Sequence, residues 1–349
     1  MNNPAFEIGR RKVGREYPPL VVAEIGINHG GSLDAAIAMA DAAIDEGAEV
    51  IKHQTHVIDD EMSNEAKDTI PGNSDISIHQ IMSKCALDEV DESQLLQHIV
   101  SRGAIFMSTP FSRLALERLK RFGVPAIKIG SGECNNYPFV KECCSLGVPI
   151  ILSTGMNSIE SVKPAVEIIR KARLPFALLH CTNIYPTPQE LVRLNCIEDL
   201  EREFPDAVCG LSDHTDNPYA CIGAVALGAA ILERHFTDSK NRVGPDIPCS
   251  MDPVEFRLLK FGAERVWMSL GGDKGICEEE KVTANFAFSS VVALRNLRSG
   301  EMLDRTNIFP MRPSGGDFGP GDYESLLGRR LVLDVEKGAQ LRLQDLREE

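Results

Sequence analysis

The chain has 349 residues, of which 43% are hydrophobic and 25% charged, and its formal net charge is −14. This balance is typical of a globular protein that is long enough to bury a sizeable core. A globally acidic chain is a poor general partner for nucleic acid or an anionic membrane surface, so an anionic substrate would require a local positive site.

The start of the chain carries no apolar signal core and no small-residue cleavage site. The longest apolar run, Ala220 to Leu232, is too short to cross a bilayer. We therefore expect a soluble, cytoplasmic protein without a membrane partner. The ten cysteines form no C-x-x-C pair. They are interpreted as reduced, mostly buried, small apolar residues.

Short apolar runs rich in β-branched residues alternate with amphipathic segments, and such runs are typical of strands buried on both faces. Eight strands with intervening crossovers and a closing helix over 252–272 predict an α/β fold, a (β/α)8 TIM barrel. A doubly wound open sheet is the weaker alternative, because no strand resembles a charged edge. The predicted strands are residues 20–28, 49–56, 105–111, 126–133, 149–156, 176–183, 207–215 and 230–238.

The pattern changes after the predicted barrel domain, residues 1–272. Residues 273–287 are polar and charged and are predicted to be a linker. Residues 288–349 show short strands and turns, which predict a small, mostly β domain with little core of its own. Within the barrel, the long polar stretch 57–90 follows the second strand, and its place over the active face favours a functional lid over a disordered insert.

Polar side chains cluster at one end of the predicted strands, whereas the other halves of the strands are apolar. Active sites of TIM barrels lie at the carboxyl ends of the strands, so this polarity indicates an enzyme. The residues at these ends are Glu24, Asn28, Lys52, Gln54, Thr109, Lys128, Ser131, Glu133, Ser153, Asn183, Ser212, Asp213, His214, Glu233 and His235.

Two of these residues, His214 and His235, are separated by one βα unit and should lie side by side at the barrel mouth. Two imidazoles with open remaining positions suit Mn²⁺, Fe²⁺, Co²⁺ or Zn²⁺. The alternative is that each histidine is a hydrogen-bonded or helix-capping residue without a metal. On a regular strand we expect Glu233 to face away from His235, and to reach a metal-bound water only if the strand end bends.

Lys52 and Lys128, together with several strand-end hydroxyls, predict a site for a phosphate or carboxylate. The plainer alternative is turn chemistry, because serine and glycine often end strands. Glu24 and Glu133 are candidates for general acid and base, or for binding sugar hydroxyls. Each could instead form an ion pair with a neighbouring lysine.

Eight sequence blocks resemble the sialic acid synthase family, and the resemblance covers essentially the whole chain. The C-terminal part resembles the antifreeze-like (SAF) domain of that family. The blocks are EIGINHGGS, KHQTH, MSTPFS, KIGSGECNN, LSTGM, LHCTNIYPTP, GLSDHT and LERHFT.

The resemblance implies an N-acetylneuraminate synthase activity, which condenses phosphoenolpyruvate, N-acetylmannosamine and water to N-acetylneuraminate and phosphate. It implies a divalent metal, most typically Mn²⁺ with Co²⁺ or Mg²⁺ as alternatives, on His214 and His235 with Glu233. A related activity on a diacetamido sugar, giving legionaminic or pseudaminic acid, is the alternative. A non-catalytic sugar- or ice-binding protein is a remote one.

The resemblance also implies residue roles and a domain-swapped homodimer. Glu133 would serve the step at C2 of phosphoenolpyruvate, and Glu24 and Lys52 would complete the catalytic set. In the swapped dimer, Arg312 would reach the active site of the partner subunit and grip the N-acetyl end of the sugar. The sugar would be held by Glu24, Gln54, Asp246, Tyr185 and Asn73, and phosphoenolpyruvate by Lys128, Ser131, Ser153, Asn183 and Ser212, with Lys52 and Thr109 beside it.

Overall fold

A computed structural model describes residues 3–71 and 75–347. An antiparallel hairpin begins the described chain, with strands β1 (Ala5–Ile8) and β2 (Arg11–Gly14). Its buried side chains Phe6, Ile8 and Val13 belong to one apolar cluster with the amino-terminal residues of the barrel strands that follow. The hairpin therefore packs against the end of the barrel opposite to the polar strand ends.

The eight following strands form a closed parallel barrel, which confirms the predicted fold. Their side chains alternate between the barrel interior and the layer of helices, and nearly all of them are buried. The strands are β3 (Leu20–Gly26), β4 (Val50–Thr55), β5 (Ile105–Pro110), β6 (Ile127–Ile129), β7 (Ile150–Ser153), β8 (Phe176–Cys181), β9 (Val208–Asp213) and β10 (Ile231–His235).

Helices surround the barrel, and several begin at capping residues. The side chains of Ser32 and Ser158 accept hydrogen bonds from the backbone N–H groups of Ala35 and Ser161, which satisfies donors that have no partner within the helix. The helices of the first 271 residues are α1 (Leu33–Asp45), α2 (Ile58–Glu61), α3 (Ile78–Cys85), α4 (Glu89–Ser101), α5 (Arg113–Phe122), α6 (Tyr137–Cys144), α7 (Ile159–Ala172), α8 (Cys196–Glu203), α9 (Tyr219–Ala226) and α10 (Pro253–Met268).

The segment that interrupts the rhythm after β4 contains the short helices α2 and α3 and a 3-10 turn over Asn64–Lys67. A capping box of Ser77 and Gln80 starts α3, and Ile81 buries the inner face of this helix. Asn73, for which the resemblance implies a sugar contact, lies outside the described residues.

The chain divides into two compact units, residues 1–271 and 272–349. The range that we treated as a linker carries helix α11 (Lys281–Ala287), and the rest of the smaller unit has strands β11 (Ser290–Ala293) and β12 (Ile308–Met311) and helix α12 (Tyr323–Leu326). The other predicted strands here pair only through isolated bridges, because turns interrupt them.

The smaller unit has a core of its own, contrary to our expectation. Val291, Leu303, Ile308 and Leu326 are fully buried in one apolar cluster. The sequence pattern did not predict this core, because the core residues come from strands, turns and a helix rather than from one periodic segment. Among the described residues, no helix is both long and apolar enough to span a bilayer.

Candidate active site

One cavity at the carboxyl ends of the barrel strands collects most of the predicted site residues. Alternate residues of each strand face the barrel axis, so their side chains reach the cavity. At the carboxyl ends of the strands, polar residues replace the apolar ones. The predicted residues that line it are Glu24, Lys52, Gln54, Thr109, Lys128, Ser131, Ser153, Asn183, Tyr185, Ser212, His214, Glu233 and His235.

Two lysines and two carboxylates form a buried charge network in this cavity. The Nζ atom of Lys52 lies 2.8 Å from Oε2 of Glu24 and 3.6 Å from Oε1 of Glu233, and it donates to Oγ1 of Thr109 at 3.2 Å. The Nζ atom of Lys128 lies 3.5 Å from the same oxygen of Glu233. All four charged side chains are less than a tenth exposed, so each needs the opposite charges beside it to offset the cost of burial.

The network shifts the two lysines in opposite directions. Burial acts to lower the pKa of Lys52, but Glu233 and Glu24 outweigh it and raise this pKa. Burial lowers the pKa of Lys128, Glu233 offsets this only in part, and the like charge of Lys52 lowers the pKa further. Burial would raise the pKa of Glu233, whereas Lys128 and Lys52 hold it below its usual range. An anion bound in the cavity would add the negative charge needed to compensate Lys128.

His214 and His235 lie side by side, as the spacing predicts, with ring centroids 5.4 Å apart. His214 Nδ1 faces the carbonyl oxygen of Thr182 at 3.0 Å, which makes this nitrogen the donor and leaves Nε2 with its lone pair. Burial and the neighbouring His235 lower the pKa of His214 to about 3, so its ring is neutral. His235 Nδ1 is buried and makes no hydrogen bond among the described residues.

Our expectation for Glu233 is wrong, because residues two apart on a strand share a face. Glu233 and His235 both point into the cavity. Oε1 of Glu233 accepts from Ser212 at 3.2 Å and faces the two lysines, while Oε2 is buried without a hydrogen-bond partner among the described residues. Nor do the described ranges contain a group of three or more His, Cys, Asp and Glu side chains that is arranged to hold a metal.

Backbone and hydroxyl donors form a concave surface beside Lys128. Oγ of Ser131 accepts from the N–H of Gly155 at 3.0 Å, which joins the loops after β6 and β7. A Cβ at Gly155 would lie 1.8 Å from Oδ1 of Asn183, so only glycine fits there. The hydroxyl of Ser153 is buried with no hydrogen-bond partner in the described part of the chain. This surface is suited to an anion.

A second cavity adjoins the first on the side of His235. It shares Gln54, Phe111, Asn183, Tyr185 and His235 with the first and adds Asp246, whose Oδ2 atom is 3.7 Å from Nδ1 of His235. Much of its remaining wall is apolar and comes from α3 and from loops at the strand ends. These wall residues are Ile27, Pro71, Ile78, Ile81, Met82, Ile184 and Pro245.

Four predicted residues have a different setting. Glu133 lies on a 3-10 turn over Ser131–Glu133, outside the lining of both cavities, and its Oε2 accepts from Asn136 at 2.6 Å. Arg312 belongs to the smaller unit. Among the remaining strand ends, Asn28 donates to the carbonyl of Phe236 and to Ser250, and Asp213 pairs with the buried Arg234 at 3.1 Å. These last two residues stabilise the loops around the site.

The sequence patterns missed Cys181 and Phe111, which also line the first cavity. Both were read as ordinary apolar residues, although each lies at or just beyond the end of a barrel strand. Burial raises the pKa of the Cys181 thiol to about 11, so this group is protonated and is not a nucleophile. The ring of Phe111 stacks on His56 at 4.6 Å.

A buried histidine beside the site makes the stability depend on pH. Burial, and next to it His53, lowers the pKa of His29 to about 3 from its usual 6.5. Between these values the unfolded chain binds one more proton, so the free energy of unfolding should fall by about 1.4 kcal/mol per pH unit as the pH drops below 6.5. This stability is fully present only above that pH.

The variant His29→Asn keeps an acceptor for the N–H of Gly31, which bonds to Nδ1 of His29 at 3.2 Å. We expect the loss of unfolding free energy between pH 6.5 and 5, measured in urea, to be smaller in this variant by about 2 kcal/mol. His79→Asn, on the less buried helix α3, serves as the control. An unchanged pH dependence in His29→Asn would contradict the assignment.

Comparison with known proteins identifies the group to which this arrangement belongs. N,N'-diacetyllegionaminic acid synthase of Campylobacter jejuni is 34% identical over 318 residues, which cover 89% of this chain and 95% of that protein. N-acetylneuraminate-9-phosphate synthase of Homo sapiens is 31% identical, with 94% of this chain and 92% of that protein covered.

A solved structure shows the same similarity. The crystal structure of N-acetylneuraminic acid (sialic acid) synthetase from Leptospira borgpetersenii serovar Hardjo-bovis in complex with citrate matches with a TM-score of 0.74 at 29% identity, covering 80% of this chain and 95% of that one. Residues 288–347 match the SAF domain, and residues 39–275 match the NeuB family. The chain therefore belongs to the NeuB family, and its relatives include N-acetylneuraminate-9-phosphate, N,N'-diacetyllegionaminic acid and pseudaminic acid synthases.

Proposed function

We propose that the protein is a synthase that condenses phosphoenolpyruvate with the open-chain aldehyde of an acetamido sugar and with water, to give a nonulosonic acid and phosphate. N-acetylmannosamine, which gives N-acetylneuraminate, is the substrate that the resemblance implies. The observation that carries this proposal is the single cavity in which Lys52 and Lys128, Glu24 and Glu233, and the two histidines meet.

Phosphoenolpyruvate would occupy the lysine side of the cavity. Lys128 has an incompletely compensated charge, and the hydroxyls of Ser131 and Ser153 at the same cavity could donate to an anion. Asn183 and Ser212 lie at the same cavity wall. Binding there would orient C3 of phosphoenolpyruvate toward the sugar aldehyde, so that a bimolecular step becomes a positioned one.

The sugar would occupy the side of Gln54, Tyr185 and Asp246. The neutral ring of His214 and Nδ1 of His235, which makes no hydrogen bond among the described residues, fit a divalent metal with two protein ligands and open positions, most typically Mn²⁺. When bound, such an ion would supply Lewis-acid polarisation of a carbonyl oxygen. Glu233, held between both lysines, is a candidate to orient a water molecule rather than a third ligand.

The chemistry at C2 requires addition of water and loss of phosphate. We propose Glu133 for this step, as the resemblance implies, with Glu24 and Lys52 as the other catalytic groups. Because the carboxylate of Glu133 is held by Asn136, its side chain would have to change rotamer to act in the cavity. Glu24 already lies inside the cavity beside Lys52 and needs no such movement.

A second candidate substrate is a 2,4-diacetamido sugar, which would give legionaminic or pseudaminic acid. The apolar wall formed in part by Ile78, Ile81 and Met82 favours it, because methyl groups gain free energy by leaving water, whereas sugar hydroxyls without partners lose it. The similarity to the N,N'-diacetyllegionaminic acid synthase points in the same direction.

Phosphate release from phosphoenolpyruvate tests both candidates. Purified protein is assayed with N-acetylmannosamine and with 2,4-diacetamido sugars, each with and without Mn²⁺. We expect metal-dependent phosphate release with at least one sugar, and the ratio of kcat/KM values identifies the preferred one. No phosphate release with any nonulosonate precursor would exclude the proposed function and favour a non-catalytic sugar-binding protein.

We also propose that the protein acts as a domain-swapped homodimer in which Arg312 completes the partner subunit's site. Arg312→Ala should raise the KM for the sugar. Mixed with the barrel variant His214→Ala, it should regain part of the wild-type rate, because hybrid dimers contain one intact composite site. Subunit exchange is verified with differently tagged chains. Proven exchange without any regained activity would contradict action in trans.

A further inference from the structure

A chain of hydrogen bonds connects the segment after β4 to the centre of the barrel. Nδ1 of His56 lies 2.8 Å from Oε2 of Glu61, which is the last residue of helix α2. Nε2 of His56 lies 3.2 Å from Oε1 of Gln54, and Nε2 of Gln54 donates to Oε1 of Glu24 at 2.8 Å. Neither Glu61 nor His56 has a role in the function proposed above.

The orientation of the Gln54 amide follows from its partners. Glu24 forms an ion pair with Lys52 through its other oxygen, at 2.8 Å, so its carboxylate can only accept hydrogen bonds. The amide nitrogen of Gln54 must therefore face Glu24, because the reverse orientation would place two oxygens in contact. This leaves the amide oxygen of Gln54 toward Nε2 of His56.

His56 then faces an oxygen acceptor at each ring nitrogen, the carboxylate of Glu61 and the amide of Gln54. Only the doubly protonated imidazolium donates at both positions. Its surroundings suit a cation, because Glu61 supplies the counter-charge and the face of Phe111 lies parallel to the ring, 4.6 Å away with an interplanar angle of 9°. The ring is 3% exposed, so water cannot replace these partners.

We propose that His56, held by Glu61, is a positioning residue for the sugar side of the reaction. By donating to the oxygen of Gln54, it fixes the orientation of the amide and directs one amide hydrogen to Glu24. This assignment rests on the proposed function, in which Glu24 and Gln54 hold the sugar. Because Glu61 belongs to the segment over the cavity, the position of that segment sets the geometry of the sugar site.

Two substitutions separate positioning from a merely structural link to Glu61. The amide nitrogen of glutamine takes the place of Nε2 of a histidine, and that of asparagine takes the place of Nδ1. His56→Gln therefore keeps the donor to Gln54 and loses the donor to Glu61. His56→Asn does the reverse. His98→Gln, at a comparable histidine–carboxylate pair with Asp41 on the outer helices, is the control.

We expect His56→Asn to raise the KM for the sugar about tenfold, the effect of losing one hydrogen bond to a charged donor, with the KM for phosphoenolpyruvate within about twofold of wild type. His56→Gln should stay within about threefold for both substrates, and His98→Gln should be unchanged. The reverse order of the two His56 variants, or equal changes in both KM values, would overturn the proposal.

A measurement on the ligand-free protein keeps the test independent of activity. In ¹⁵N-histidine-labelled wild-type protein, both ring nitrogens of His56 should carry a proton at neutral pH, with the signals assigned by their absence in His56→Gln. A neutral His56 would overturn the inference. If wild-type protein released no phosphate with any sugar, the proposed function would fail, and these nitrogen signals would still decide the state of His56.

Discussion

Replacing either His214 or His235 with alanine is expected to lower the rate of phosphate release at least about a thousandfold, because the metal proposed for these rings would polarise the aldehyde, an effect worth several kcal/mol in the transition state. The two rings lie 5.4 Å apart, and in the proposed site each would supply one of two protein ligands. Loss of one ring should leave too few ligands to retain the ion.

The measurement has two parts. Isothermal titration with Mn²⁺ should show binding to wild-type protein and to the control His98→Ala, and no binding to either site variant. Circular dichroism should show that all variants fold, since the rings line a cavity rather than the apolar core. If His214→Ala or His235→Ala kept most of its activity in the presence of a chelator, the shared metal site would be excluded.

Replacing Lys128 with methionine should lower kcat/KM for phosphoenolpyruvate by about 10²- to 10³-fold, since truncating one partner of a buried charge pair costs about 2–5 kcal/mol. Lys128 is the buried lysine whose pKa stays lowered beside Glu233, so we propose an anionic substrate as its partner. Most of the loss should appear as a raised KM for phosphoenolpyruvate, with a smaller change in the KM for the sugar.

The matched control is Lys141→Met, which removes an exposed lysine from helix α6. Both variants are compared with wild type in steady-state kinetics and in urea unfolding. In Lys128→Met, Glu233 keeps Lys52 as its partner at 3.6 Å, so we expect a folded protein. An unchanged KM for phosphoenolpyruvate would show that Lys128 does not bind the anion.

The candidate site shows which contacts strand periodicity alone can predict. The spacing of His214 and His235 predicted their contact, because one βα unit separates equivalent positions on neighbouring strands of a barrel. The same periodicity was applied wrongly to Glu233, which we expected to face away from His235 although residues two apart on a strand share a face. Glu133 is the reverse case: it follows a strand as the pattern requires, but the chain turns after Ile129 into a 3-10 helix, and Asn136 binds its carboxylate.

The smaller unit and the segment after β4 were harder to read. Their helices and strands are short, so neither a period of two nor one of 3.6 residues can develop. The core around Leu303 and Leu326 is built from residues distant in sequence, and only their packing reveals it. The pairing of His56 with Glu61 is equally hard to predict, since Glu61 lies in the polar stretch 57–90, which has no regular pattern.

By itself, the sequence determined the eight-strand barrel, the end at which polar groups collect, and the pairing of the two histidines, because strand burial and the βα repeat are local and periodic properties. Only the tertiary structure decided which charges neutralise one another. Glu233 lies between Lys52 and Lys128, which come from strands distant in the chain, and the direction of each pKa shift depends on distances of a few ångströms inside a buried cavity. Such distances follow from the closure of the barrel, and no local pattern in the chain encodes them.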